Sequence, residues 1–348
     1  MNFREFFEDK IILVCGGTGS IGSEIVSQIL NYNPETIRIL TNSENELWNT
    51  KLKFKDSLNK LRFLLGDIRD YERIDRAIQG VDYVFNAAAI KHVPISEYNP
   101  MEAVRVNIIG LENLIQVALN HNVKKFIQIS TDKAINPTTV MGATKMLGER
   151  LVISRQLAKG KQETIFSCVR FGNVLGSRGS IIPLIKKQIR EGDTVTLTDK
   201  NMKRFFLSIS QAVKLVLKAI TLAQGGEIFV LKMPTISIKD LIEVIIEEYA
   251  PKIGKDPKSI NIETIGSRTR EKVNELLISP NEFTTCYETE DMYIIYPDPK
   301  LDLGSSSPKI QINGSKIILD KNFHYNTDDA PILSKQELRK LLLELNLI

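Results

Sequence analysis

The chain has few of the residues that usually announce metal or redox chemistry. Only three of its 348 residues are cysteine (Cys15, Cys168, Cys286) and only three are histidine (His92, His121, His324). They stand far apart, and no Cys-x-x-Cys pair or Cys/His spacing links them, so the sequence predicts buried reduced thiols and no metal. No apolar stretch approaches the roughly 20 residues that cross a bilayer. The opening segment MNFREFFEDK is short and charged, unlike a secretion signal. A cytoplasmic protein with no membrane span is expected. Neither sign of charge dominates, because 46 Lys and Arg against 42 Asp and Glu leave a net charge of +4. No basic run is long enough for nucleic acid, although single basic residues could meet a small anionic ligand. Internal repeats and low-complexity linkers are also missing.

What remains is an ordinary globular composition, 43% hydrophobic and 25% charged, on a chain long enough for two structural units. The first half alternates short apolar runs with amphipathic ones. Strands are predicted at 11–15, 36–40, 61–65, 83–86, 125–130 and 165–171, with helices at 20–30, 44–54, 71–79, 100–120 and 140–158. This alternation predicts an α/β fold, a doubly wound Rossmann-type parallel sheet that binds ligands at the carboxyl ends of its strands. The dinucleotide-binding domain is drawn over residues 1–175. A smaller C-terminal substrate lobe and tail take 176–348, with the chain returning to the first domain at about 205–231. Helices are predicted at 181–191, 210–222 and 237–249, a strand at 227–231, and a short terminal helix within 331–345. The segment KIQINGSKIIL at 309–319 alternates on both sides of Asn313-Gly314, a favoured hairpin turn.

Chemistry is first legible at Gly16-Gly17-Thr18-Gly19-Ser20-Ile21-Gly22, a GxxGxxG pattern between a strand and a helix. Glycines there let backbone N–H groups approach a pyrophosphate, and the helix start adds partial positive charge. Gly66-Asp67-Ile68 follows the third strand, where Asp67 can accept from an adenine amino group. Asn86-Ala87-Ala88-Ala89 ends the fourth with small side chains that permit close approach. The second strand ends in Thr41-Asn42-Ser43-Glu44, with no Arg to meet a 2′-phosphate. Charge alone leans to NAD over NADP, and Glu44 is equally explained as a helix-start residue after a capping Ser43. Ser130-Thr131-Asp132-Lys133 ends the fifth strand and faces the same cleft. Met141 and Lys145, four residues apart, share one helical face.

These segments resemble a known family. GGTGSIG, LLGDIRD, AAAIKHVPISEYNP, STDKAINPTTVMGATK, RFGNVLGSRGSIIP and TDKNMKRFFLSISQAV look like an extended short-chain dehydrogenase of the inverting UDP-N-acetylglucosamine 4,6-dehydratase group. GSRTREKVNELL and the tail HYNTDDAPILSKQEL also resemble that group, in its short soluble form. The resemblance implies a tightly bound, recycled NADP or NAD, a UDP-sugar substrate, a role in surface polysaccharide or glycan synthesis, and assembly into a homo-oligomer. It implies oxidation at C4 of the sugar, loss of water across C5 and C6, and return of hydride to C6. Thr131 would bond the C4 oxygen, Asp132 would be the acid for the C6 hydroxyl if burial raises its pKa, and Lys133 the C5 base if burial lowers its own. A retaining dehydratase carries Glu at the position of Lys133. Lys145 would hold the nicotinamide ribose. The cofactor set implied is Gly16, Thr18, Gly19, Ser20, Ile21, Gly22, Asn42, Ser43, Asp67, Ile68, Ala87, Ala88, Ala89, Lys91, Asn107 and Lys145. The substrate set is Lys91, Thr131, Asn173, Ser180, Arg204, Arg268 and Glu271.

Met141 departs from the pattern, because the family's usual residue there is a catalytic Tyr and a thioether accepts no proton at neutral pH. Lys133, or a water held by Thr131, is left as the C4 base. Thr269 and Arg270 replace a family Pro and Gly. Two other readings stand beside the dehydratase. One is a C4 epimerase or retaining dehydratase, against which Asp132-Lys133 argues. The other is a non-catalytic NAD(P)-binding protein, which only Met141 supports.

Overall fold

The computed structural model describes residues 2–266, 270–280, 282, 286–297, 316–317 and 323–348. Its strands are β1 Ile11–Cys15, β2 Thr36–Thr41, β3 Leu61–Leu65, β4 Tyr83–Asn86, β5 Lys125–Ile129, β6 Ile165–Arg170, β7 Asn173–Leu175, β8 Thr194–Leu197, β9 Lys203–Ser208, β10 Ile228–Leu231, β11 Thr235–Ser237, β12 Asn261–Thr264, β13 Leu276–Ile278, β14 Cys286–Glu288, β15 Met292–Ile295, β16 Lys316–Ile317 and β17 Tyr325–Asn326. Its α-helices are α1 Phe3–Phe7, α2 Ser20–Leu30, α3 Glu44–Lys53, α4 Tyr71–Ile78, α5 Val93–Tyr98, α6 Pro100–Val104, α7 Leu111–Asn120, α8 Val140–Ala158, α9 Ile181–Glu191, α10 Ile209–Leu222, α11 Ile238–Tyr249 and α12 Lys335–Glu344.

The main sheet runs β3-β2-β1-β4-β5-β6-β10 with every pair parallel. This is the doubly wound order anticipated from the strand–helix rhythm, and β1 and β4 meet where the winding reverses. Its strands are apolar on both faces (Leu13, Val14, Val84, Phe85, Phe126 and Ile127 are all fully buried) because helices cover both sides. Beyond β10, β15 and β14 add antiparallel, followed by β16. Residues drawn into the second lobe at 286–295 thus belong to the main sheet as well. Short antiparallel edge strands carry no period that tells one sheet from another.

The second lobe has its own core. Ile182, Ile185 and Ile189 of α9 pack with Leu241, Ile242 and Ile245 of α11 and with Leu338 and Leu342 of α12. Two small sheets, β11-β9-β7 and β12-β8, complete it. Of the expected hairpin at 309–319, Asn313 and Gly314 lie outside the described residues, and Lys316–Ile317 pair with β14. The three thiols are free and buried.

One expected helix is divided. Residues 100–120 form α6, a π-helical turn at Arg105–Gly110, and α7. The turn brings Asn107 inward, where its amide donates to the Ile90 carbonyl (3.0 Å) and to Thr144 Oγ1 (2.9 Å) and accepts from Ile90 N–H (2.9 Å). A side chain with that many bonds fixes the loop after β4 against α8, which is a common use of a π turn near a site.

A buried ion cluster ties the two halves. Arg170, at the end of β6, reaches Glu149 of α8 at 2.7 Å and Glu282 at 3.1 Å, and donates to the Leu277 carbonyl at 2.8 Å. Removing the cation strands two carboxylates out of water. Arg170→Met is expected to lower the unfolding free energy by about 3–5 kcal/mol in a urea titration. Adding Glu149→Gln and Glu282→Gln should recover much of that loss. An unchanged midpoint for Arg170→Met alone would show that the cluster does not hold the lobes.

Candidate active site

The loop after β1 and the end of β4 meet at the switch point. Gly16 has φ +70, and a Cβ on it would stand 2.7 Å from the backbone N of Ala88. The small residues at 87–89 therefore serve a backbone-to-backbone contact. Gly19 opens α2 without any side-chain cap, so the helix start presents its N–H groups outward. Ser20, Ile21 and Gly22 form that first turn. Thr18 Oγ1 donates to Thr41 Oγ1 at 3.0 Å, which joins the loop to the end of β2. Ser43 caps α3 by accepting from Glu46 N–H at 3.4 Å, so Glu44 is a helix-start residue. Asn42 donates to Asp67 Oδ2 at 3.0 Å, and Arg69 clasps the same carboxylate. Burial pushes the Asp67 carboxyl up, but the Arg69 bonds and charge, with Asn42, hold it below its ordinary value. Ile68 is buried. An uncapped helix start beside a glycine turn, with small side chains opposite, suits the residues to a dinucleotide. Asn107, also in the expected set, has its amide bonded to Ile90 and Thr144.

The chemical groups collect just beyond β5. Asp132 is 0% exposed and Lys133 is 29% exposed at its side chain. Thr131 Oγ1 donates to Asp132 Oδ1 at 2.7 Å, and Lys133 Nζ donates to the same oxygen at 3.0 Å. Lys133 Nζ also lies 3.3 Å from Glu275 Oε1. Burial alone would push the Lys133 ammonium down, but Asp132 and Glu275 together outweigh it and hold its pKa above the ordinary value. The expected lowering of Lys133 is thus reversed in the free protein, for want of a known partner: Glu275 is 142 positions away in sequence. Glu275 itself is pushed up, by burial first.

On α8, Met141 and Lys145 are both buried, Met141 only 4% exposed. Lys145 Nζ donates to the Ile129 carbonyl at 2.8 Å, and burial, against the pull of Glu149 and Cys168, pushes it down to about 8.

A cavity of about 300 Å³ opens beside this cluster and is lined by Lys91, Lys133, Asn173, Ser180, Arg204 and Glu271, with Lys272 and Glu275. Asn173 Oδ1, Ser180 Oγ and Glu275 Oε2 are buried there with no hydrogen-bond partner among the described residues. Lys91 is pushed down by desolvation first and by the neighbouring Arg178 second. Arg204 donates to the carbonyls of Lys203, Val273 and Lys272, each at 2.8 Å, and lies 3.6 Å from Glu271. Its guanidinium therefore holds the 271–275 segment in place. Arg268 and Thr269 lie outside the described residues. Arg270 pairs with Glu97 at 2.9 Å, and Glu97 also accepts from Val140 N–H at the start of α8. Sequence reasoning missed Glu97, Lys272 and Glu275. All three fall inside quoted motif segments, but nothing local marks them as partners of residues far away.

Residues 12–297 match the family model described as polysaccharide biosynthesis protein. Over 99% of this chain and 98% of its own length, an uncharacterized membrane protein of Methanocaldococcus jannaschii, MJ1061, is 53% identical. A UDP-N-acetylglucosamine 4,6-dehydratase (inverting) of Campylobacter jejuni is 39% identical over 93% and 94% of the two chains. A UDP-glucose 4-epimerase of Rickettsia prowazekii is 38% identical over 98% of each. The X-ray structure of Pen from Bacillus thuringiensis superposes with a TM-score of 0.89 at 42% identity, covering 99% of both chains. Among the described residues no helix is long and apolar enough to cross a membrane.

The depressed Lys145 gives a signed pH dependence. Between about 8 and its ordinary value of 10.5 the unfolded chain binds the proton and the folded one does not, so this group adds stability as pH rises through that window. Comparing wild type with Lys145→Met by chemical denaturation at pH 7 and pH 10 should show the wild type gaining on the variant at the higher pH. A pH-independent difference would mean that Lys145 is not depressed.

Proposed function

The chain belongs to the polysaccharide biosynthesis protein family, among nucleotide-sugar dehydratases and epimerases, and on that premise we propose that it is a UDP-N-acetylglucosamine 4,6-dehydratase that inverts C5. One observation carries the reading: Lys133 lines the cavity at the end of β5 and is ion-paired at 3.0 Å with the fully buried Asp132. A C4 epimerase moves protons only at C4 and needs no second acid and base. A dehydratase must protonate a departing C6 hydroxyl and take a proton from C5, and this pair supplies both functions.

A diphosphate suits the cavity's cationic lining, with Lys91 and Lys272 along it and the Ser180 hydroxyl at the start of α9. The cradle between Gly16 and Ala89 would hold NAD or NADP, and Lys145 would hold its ribose. When bound it supplies the acceptor for the C4 hydride and the donor for C6.

The proton path follows from the hydrogen bonds of the free protein. The Lys133–Asp132 ion pair is the resting form. The cycle starts from the amine form of Lys133, its proton released to solvent. Met141 accepts no proton, so the C4 hydroxyl passes its proton to Thr131 Oγ1. Thr131 in turn hands its own to Asp132 Oδ1 along the 2.7 Å bond. Asp132 is then the carboxylic acid that protonates the C6 hydroxyl as it leaves as water, while the Lys133 amine takes the C5 proton. With C6 reduced, a solvent proton reaches C5 on the opposite face, and Lys133 releases the proton it took. Both groups end as they began, and no external reductant is consumed.

Mass spectrometry after incubation with UDP-N-acetylglucosamine in D2O, without added reductant, tests this. The expected product has lost one water and carries deuterium at C5, and Asp132→Asn and Lys133→Met should each slow its formation by about 100-fold or more. A product of unchanged mass with an inverted C4 would establish the epimerase, a reading favoured by the Rickettsia relative.

Met141→Tyr tests the proton path separately. If the Thr131 relay is adequate, the substitution should leave the rate within a few-fold of wild type. A gain of about 100-fold would show that the natural site lacks an effective C4 base.

A further inference from the structure

The loop between β7 and α9 does more than line the cavity. Its Arg178 lies across the glycine loop of the other lobe. The Arg178 backbone N–H donates to Ser20 Oγ at 3.0 Å, and its carbonyl accepts from Lys91 Nζ at 2.9 Å. Its guanidinium donates to the Thr18 carbonyl and pairs with Glu46 in the first turn of α3. The loop is shaped for this. Gly179 has φ +70, and a Cβ there would stand 2.5 Å from the His92 ring, so the chain turns sharply just after Arg178.

The end of β2 offers no arginine, yet dinucleotides present phosphate on this side of the cradle: the pyrophosphate at the helix start and, in NADP, the 2′-phosphate near the residues after β2. We propose that Arg178, delivered by the second lobe, is a phosphate ligand of the dinucleotide and straps it into the cradle. In the free protein Glu46 holds the guanidinium in readiness. Arg178 is 53% exposed and Glu46 39% exposed at their side chains, so their pair is a weak surface contact that a phosphate can displace. Phosphate accepts a bidentate guanidinium bond at least as well as a carboxylate does. Because the same residue's carbonyl holds Lys91, strapping the dinucleotide also sets a cation at the mouth of the substrate cavity. A cofactor that must be recycled in place gains a closure from the substrate side.

This inference rests on the cofactor reading above and is tested apart from turnover. Dissociation constants for NAD+ and NADP+ are measured by calorimetry on wild type, Arg178→Gln and Glu46→Gln, with circular dichroism to verify folding. Arg178→Gln is expected to weaken binding by about 10-fold or more, and Glu46→Gln, which frees the guanidinium, to tighten it. Equal weakening of both dinucleotides assigns Arg178 to the pyrophosphate, whereas weakening of NADP+ alone assigns it to the 2′-phosphate. Folded Arg178→Gln that binds both dinucleotides as wild type does overturns the strap and leaves the cofactor reading standing. Wild type that binds neither overturns both.

Discussion

Ionised groups at the end of β5 share one poorly hydrated space, and their pairing is the constraint around which the site is built. Asp132 and Glu275 are buried carboxylates, and Lys133 and Arg204 are the cations that compensate them. A buried charge without a partner is costly, so the cluster can exist only if β9 and the 271–275 segment close against the loop after β5. The same closure creates the cavity. The cavity and the lobe closure therefore depend on one set of contacts. Arg170, with Glu149 and Glu282, repeats the device one layer deeper. It ties the helix bearing Met141 and Lys145 to the last strand of the first half.

The pairing also sets the protonation states from which chemistry must start. Lys133 is held as an ammonium by two carboxylates, while Lys145, buried with only Glu149 and Cys168 to favour its charge, is pushed down to about 8. Two lysines twelve residues apart thus face opposite electrostatic demands. Lys133 has two carboxylates against it to offset desolvation, whereas Lys145 is buried with weaker compensation. Thr131 Oγ1 donates to Asp132 Oδ1, so hydroxyl, carboxylate and the Lys133 ammonium form one hydrogen-bonded group.

The helical and strand segments of the first half were legible because each carries its own period. Six parallel strands with short, mostly apolar runs, and α2, α3 and α8 with capping glycine, Ser43 and Thr139 at their starts, need no distant information to be recognised. The glycine loop and the Thr131-Asp132-Lys133 run could likewise be placed at strand ends, and strand ends in such a sheet share one edge. The single helix drawn over 100–120 failed for the converse reason. A π turn conserves the apolar pattern on each side of it, and only the bonds of Asn107 to Ile90 and Thr144 explain why it is there.

By itself the sequence determined the doubly wound sheet, the glycine turn at its switch point and the identity of the residues at the end of β5, because these follow from local periodicity and from the topology of such sheets. Tertiary structure alone decided which charges meet. Glu275 reaches Lys133, Arg204 spends its guanidinium on carbonyls of the 271–275 segment, and Arg178 crosses from the second lobe to Thr18 and Glu46. Those partners are separated by scores of residues, and an ion pair leaves no periodic trace in a sequence. Its existence depends on where the folded chain brings two side chains within a few ångströms, and on how little water is left between them.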